Sequence, residues 1–126
     1  MEKNYQLALL YFVHLLIGID GVADKTEIAA LQSIKEKEKI PDPIFKDFTH
    51  KITSTPEREI YQLALDHLAK CNVTEKLKVF AILYWLSEVD GRVHTKEIKL
   101  LLYSIEDAGI EFNDVVEYAK TKPSIF

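Results

Sequence analysis

Apolar side chains fill almost every position from Leu7 to Ile19, with His14 as the one clear interruption. Taken back to Lys3, the stretch offers no polar face. It predicts a helix over 3–19 that belongs in the middle of a bundle. Residues 74–89 have the same character, through Leu77, Val79, Phe80, Ile82, Leu83, Tyr84, Trp85, Leu86 and Val89. Two such rods in one short chain predict a core built by packing one on the other. The other helices are predicted from apolar positions three and four apart. Ile28, Leu31 and Ile34 form an inward stripe over 25–39, and Ile44, Phe45, Phe48 and Ile52 one over 43–53. Ile60, Leu63, Ala64 and Leu68 mark a helix ending near Lys70. Ile98, Leu101, Leu102 and Ile105 mark one over 95–108, and Val115, Val116 and Ala119 the last, over 112–121.

The punctuation agrees. Pro41-Asp42-Pro43 breaks the chain before the third helix. Ser54-Thr55-Pro56-Glu57 reads as a helix start, with a hydroxyl cap, a proline in the first turn and an acid near the positive pole. Thr74 is the expected cap of the fifth helix, a residue at or near Asn113 opens the seventh, and Gly109 closes the sixth. No segment alternates with a period of two, so the expected fold is all-α, a single seven-helix bundle.

A second regularity organises these helices. Asp20-Gly21 is followed six residues later by Glu27-Ile28, and Asp90-Gly91 by Glu97-Ile98 at the same spacing. Leu16 and Leu86, Ile19 and Val89, and Leu31 and Leu101 keep the same relation. This predicts an internal pseudo-twofold repeat. Helices one to three (residues 3–53) correspond to helices five to seven (residues 73–121), and a fourth helix (residues 55–71) bridges them.

Composition narrows the function classes. A net charge of -4 lacks the basic face that a nucleic-acid partner needs. The alternation from Lys35 to Lys39 reads as a solvated helix end. Cys71 is the single cysteine, which excludes an intrachain disulfide and fits a small packed residue in a reducing compartment. The longest apolar run is too short to cross a hydrocarbon layer of roughly 30 Å, so no membrane insertion is expected. The first residues do not form a secretory signal, and the expected location is cytoplasmic. His14, His50 and His67 are isolated along the chain, and Trp85, Tyr84 and Phe80 read as core. Neither a phosphate-binding loop nor a serine elbow nor a zinc signature occurs, so the expectation is a protein without enzymatic activity.

The repeated acids carry the remaining chemistry. On one reading they are caps, with Asp24 opening a helix and Glu27 reaching back to it, and His94 or Thr95 doing likewise in the second copy. On another, Asp20-Gly21 to Glu27 and Asp90-Gly91 to Glu97 match the latter half of a calcium loop. The front half fails, since its first ligand position falls on Leu16 and Leu86 and its third on Gly18 and Glu88. An independent calcium loop is therefore not expected. A shared site is the alternative: Asp20, Glu27, Asp90 and Glu97, joined by Asp24 or Glu88, gathered where the two copies meet. Carboxylates brought together need a cation or a raised pKa. Oxygen ligands suit Ca²⁺ or Mg²⁺, and His94 would extend the choice to Mn²⁺ or Zn²⁺. The cap and ion readings both stay open.

The duplicated Asp-Gly-x-x-x-x-x-Glu motif, each copy after a strongly apolar helix, resembles the TerB-like family over most of the chain, from about Tyr5 to Ala119. The resemblance implies a compact seven-helix bundle with internal pseudo-symmetry and an acidic surface associated with metal ions. It also implies a role in stress response, tellurite resistance included, or as an interaction module. Asp20, Gly21, Glu27, Asp90, Gly91 and Glu97 carry it over. Two positions depart: Ala23 stands where the second copy has the branched Val93, and Gly18 where it has Glu88. A site shared by both copies would then lean on the second. Tellurite resistance does not follow from likeness of fold. The other function class is an adaptor docking an unknown protein partner; Ile125 and Phe126 after Pro123 read as a tail first, and as an interaction plug or a helix-end packing contact otherwise.

Overall fold

The computed structural model of this chain describes residues 3–17, 25–90, 99 and 103–122. Regular structure there is helical throughout: α1 (Lys3–Ile17), α2 (Lys25–Lys37), α3 (Asp42–Ser54), α4 (Glu57–Ala69), α5 (Val73–Asp90), helical residues 103–107 as α6, and α7 (Phe112–Thr121). No strand occurs among the described residues. None of the described helices is long and apolar enough to cross a membrane.

The absence of a polar face on α1 has a direct cause. Within one turn its side chains meet three different helices. Tyr11 packs on Phe48 of α3 (ring centroids 5.6 Å apart), while Phe12 meets Phe80 of α5 at 5.8 Å and the edge of Tyr61 of α4 at 6.3 Å. Every residue from Leu7 to Val13 is buried, as are Tyr5, Leu15 and Leu16. Removing each of the large apolar side chains among them from water contributes about 1.5–3 kcal/mol. The two apolar rods do touch, through Phe12 and Phe80, yet each has a larger neighbour. Among the described residues, the most extensive partner of α1 is α4, and that of α5 is α7.

Local expectations were met unevenly. Ile28, predicted to face inward, is 59% exposed, whereas Leu31 and Ile34 further along α2 are 7% and 0% exposed. From Ile28 to Ile34 burial thus deepens along α2. The hydroxyl cap before α4 is also not formed. Ser54 ends α3, where its Oγ donates back to the His50 carbonyl, and Pro56 stands at the cap without a side-chain bond. The cap of α5 is Asn72 rather than Thr74. Its Oδ1 accepts from the Glu75 amide at 2.8 Å, and Glu75 Oε1 accepts from the Asn72 amide at 3.0 Å, a reciprocal capping box.

Two corners share their backbone bonding. Lys39 (φ 54°) and Gly109 (φ 72°), seventy residues apart, both adopt the left-handed conformation. Ile40 N–H donates to the Lys35 carbonyl at 3.0 Å and Ile110 N–H to the Ile105 carbonyl at 3.1 Å. Lys39 N–H reaches the Glu36 carbonyl and Gly109 N–H the Glu106 carbonyl. Each is a Schellman closure. Beyond it the Pro41 carbonyl accepts from Ile44 and Phe45, and the Glu111 carbonyl from Asp114 and Val115, so α3 and α7 start in the same way.

Candidate functional site

The predicted ion ligands fall mostly outside the described residues: Asp20, Asp24, His94 and Glu97 lie there, as do Gly21 and Gly91. The backbone of the other three is helical. Glu27 occupies the first turn of α2, and Glu88 and Asp90 the last turn of α5, which ends at Asp90. These locations differ electrostatically. A helix N-terminus carries partial positive charge and favours a carboxylate, whereas a C-terminus carries partial negative charge and repels one, by about 0.3–1 kcal/mol each. No basic side chain accompanies Glu88 and Asp90 in that last turn. Among the described residues, no three His, Cys, Asp or Glu side chains converge as a metal site.

A different charged group is built into the interior. Glu38, at the end of α2, was expected on a solvated helix end and is instead buried. Its Oε1 accepts from the Tyr5 hydroxyl at 2.6 Å and from Lys78 Nζ of α5 at 2.9 Å. The Lys78 ammonium also stands 5.6 Å from the centre of the Tyr5 ring. Three elements, α1, the end of α2 and α5, are joined at one carboxylate oxygen. Burial pushes the Tyr5 phenol far above its ordinary pKa, and the hydrogen bond to Glu38 adds to the rise. Tyr5 therefore stays a neutral donor, and the clasp is an ion pair with one charge-assisted hydrogen bond. The sequence held one signal for it. A tyrosine inside a fully buried stripe requires a partner for its hydroxyl.

A second polar contact ties α4 to α6. The Tyr61 hydroxyl donates to Asp107 Oδ2 at 2.9 Å, and Ser104 Oγ lies 3.4 Å from the same hydroxyl. Burial raises the Tyr61 pKa; the Ser104 hydrogen bond lowers it and the Asp107 carboxylate raises it further. Beside this contact is a cleft of about 270 Å³ between the end of α4, Lys76 of α5, and Asp107 and Ala108. A shallower one of about 390 Å³ lies between α3 and α4, lined by Lys51, Thr55, Glu59, Gln62, Leu63 and Asp66. Cys71 is buried, with Sγ 3.5 Å from the His67 carbonyl, which is how a packed thiol sits.

The histidines separate in the same way. His50 is exposed, and the His14 ring meets the edge of Phe48 at 6.3 Å. His67, which the sequence left isolated, contacts two residues of α1. Its Nδ1 is 2.8 Å from Asn4 Oδ1, and its ring stacks on Tyr11. Helical numbering within α4 could not reveal partners sixty residues away. No family model matches the chain, and neither a curated protein nor a solved structure matches it.

Proposed function

We propose that this chain is a TerB-like helical domain that acts by binding a divalent cation rather than by catalysis, within a stress response. The ligands are the duplicated acids Asp20, Glu27, Asp90 and Glu97, joined by Asp24, Glu88 or His94. The observation that carries this reading is the end of α5. Glu88 and Asp90 share the negative pole of a helix whose last turn has no basic residue. A cation there would relieve the unfavourable interaction of each carboxylate with that pole. The matched closures at Lys39 and Gly109 support a duplicated architecture, in which the two acidic motifs occupy equivalent positions. Under that architecture helices one to three and five to seven are copies about a pseudo-twofold axis.

Thermal unfolding with Ca²⁺, Mg²⁺, Mn²⁺ and Zn²⁺ tests the reading. An ion at a hundred times its dissociation constant stabilises the fold by about 2.7 kcal/mol. Asp90→Asn should remove most of that gain, and Asp20→Asn less, because the second copy carries the extra acid Glu88. If no divalent ion raises the melting temperature at millimolar concentration, the acids serve as helix caps and the adaptor reading takes over.

A further inference from the structure

The cleft at the end of α4 is lined by opposite charges that do not pair with each other. Leu65 and Leu68 of α4 and Ala108 beyond α6 supply apolar wall, and Asp66, Lys76 and Asp107 stand around a volume of about 270 Å³. Lys76, half-buried in the first turn of α5, makes no ion pair and no side-chain hydrogen bond among the described residues. Each carboxylate is held by one oxygen. Asp66 Oδ1 accepts from Gln62 Nε2 at 2.9 Å, and Asp107 Oδ2 from the Tyr61 hydroxyl at 2.9 Å. The other oxygen of each has no protein donor among the described residues. We propose that this cleft binds a small zwitterion with an apolar body, the chemistry of a free apolar α-amino acid. Its carboxylate meets Lys76, its ammonium meets Asp107 and Asp66, and its side chain lies against the leucines.

The charge pattern selects this class over its neighbours. A simple anion would satisfy Lys76 but meet two carboxylates, and a simple cation would satisfy the carboxylates but meet the lysine. A zwitterion answers both signs with charge-assisted hydrogen bonds. The size agrees. Drug-sized ligands fill roughly 300–1,000 Å³, so a cleft just below that range suits a molecule as small as an amino acid. The acceptors are also preorganised. Gln62 holds Asp66 from one turn earlier on α4, and Tyr61, whose ring meets Phe12 of α1 edge-on, holds Asp107 from across the helix interface. Little side-chain order then has to be gained when the ligand arrives. Both aspartates remain exposed to water, which screens their charge and keeps the affinity millimolar.

Titration of the intact chain with L-leucine, followed by amide and methyl NMR shifts, tests the site. Shifts should gather at Leu65, Leu68, Lys76 and Ala108, saturate with a Kd of about 1–10 mM, and leave α3 unmoved. Isocaproate, which lacks the ammonium, and isoamylamine, which lacks the carboxylate, should each bind at least about tenfold more weakly. Lys76→Met keeps the apolar stem and removes the charge, and should abolish saturable binding of L-leucine. Asp107→Asn should weaken it about tenfold. The absence of a saturable shift, equal binding of the three probes, shifts centred outside the cleft, or binding that survives Lys76→Met overturns the proposal. If the methionine variant does not fold, the ranking of the three probes on the parent chain decides.

Discussion

The corner between α2 and α3 and the corner between α6 and α7 are closed by the same backbone hydrogen bonds and anchored by different side chains. At the first, Lys35 pairs with Asp42 at 2.6 Å and stands 5.7 Å from the centre of the Phe45 ring, while Glu38 reaches inward to Tyr5 and Lys78. Seventy residues on, Ile105, Phe112, Val115 and Ala108 replace those four. There Ile105 and Val115 are buried, and Phe112 meets Tyr84 edge-on at 6.3 Å. One corner is fixed by charge and the other by apolar packing. The turn geometry therefore tolerates either chemistry, because it is set by main-chain donors and acceptors and by one left-handed residue. What differs is how each corner reports on its surroundings. The first answers to loss of a charge, the second to loss of volume.

The largest effect expected on this contrast lies in the helices leaving the corners. Phe48 is fully buried among Tyr11, His14 and Phe45, and its counterpart Tyr118 is only partly buried. Phe48→Ala should cost about 4 kcal/mol in urea unfolding. Tyr118→Ala should cost roughly half as much, since less of its surface is removed from water. Equal losses would mean that α3 and α7 are anchored alike and that the contrast is superficial.

Next comes the charged clasp. Glu38→Ala removes the acceptor of a buried phenol and the partner of Lys78, and should destabilise by about 3 kcal/mol. A clasp that specifies geometry more than it adds stability makes a second demand. Replacing Tyr5 by Phe, Glu38 by Leu and Lys78 by Met together should recover most of that loss, because no buried charge is left alone. Urea unfolding of both variants measures the difference. If the triple variant is no better than Glu38→Ala, the ion pair is a net source of stability, and the first corner depends on charge for more than its shape.

The helices were legible because their signals are local. Periodicity and proline fixed α3, α4 and α7 to within two residues, and the apolar run foretold the burial of residues 7–13 in α1 and 79–83 in α5, while the first turns of α5 are exposed or half-buried. Three features were not legible. Glu38 sits in a run of alternating charges that looks solvated, and only the fold brings Tyr5 and Lys78 to it. Ile28 keeps the helical period of Leu31 and Ile34, but periodicity does not say how far along a helix the packing extends. His67 gains its partners from α1, which no reading of α4 alone contains. Of the candidate ion ligands, only the helical backbone positions of Glu27, Glu88 and Asp90 are described. The likeness of the corners at Lys39 and Gly109 lies in main-chain bonds and was not read from either segment's side chains.

The smallest expected effect is the sharpest test of the common backbone geometry. Lys39 and Gly109 share the left-handed region, where a side chain costs about 1–2 kcal/mol and glycine costs nothing. A methyl group built on Gly109 meets no atom within 4 Å, so Gly109→Ala should lose about 1 kcal/mol from conformation alone, with no steric contribution. At Lys39 the reverse change removes that conformational cost but gives the unfolded chain more freedom. The net gain from Lys39→Gly should therefore be only about 0.5 kcal/mol, with its sign opposite to that at Gly109. Paired denaturant melts read both. Opposite signs are required if the two residues close their helices in the same way. A destabilising Lys39→Gly would mean that the lysine side chain contributes contacts worth more than the strain of its backbone, and that the likeness between the corners ends at the hydrogen bonds.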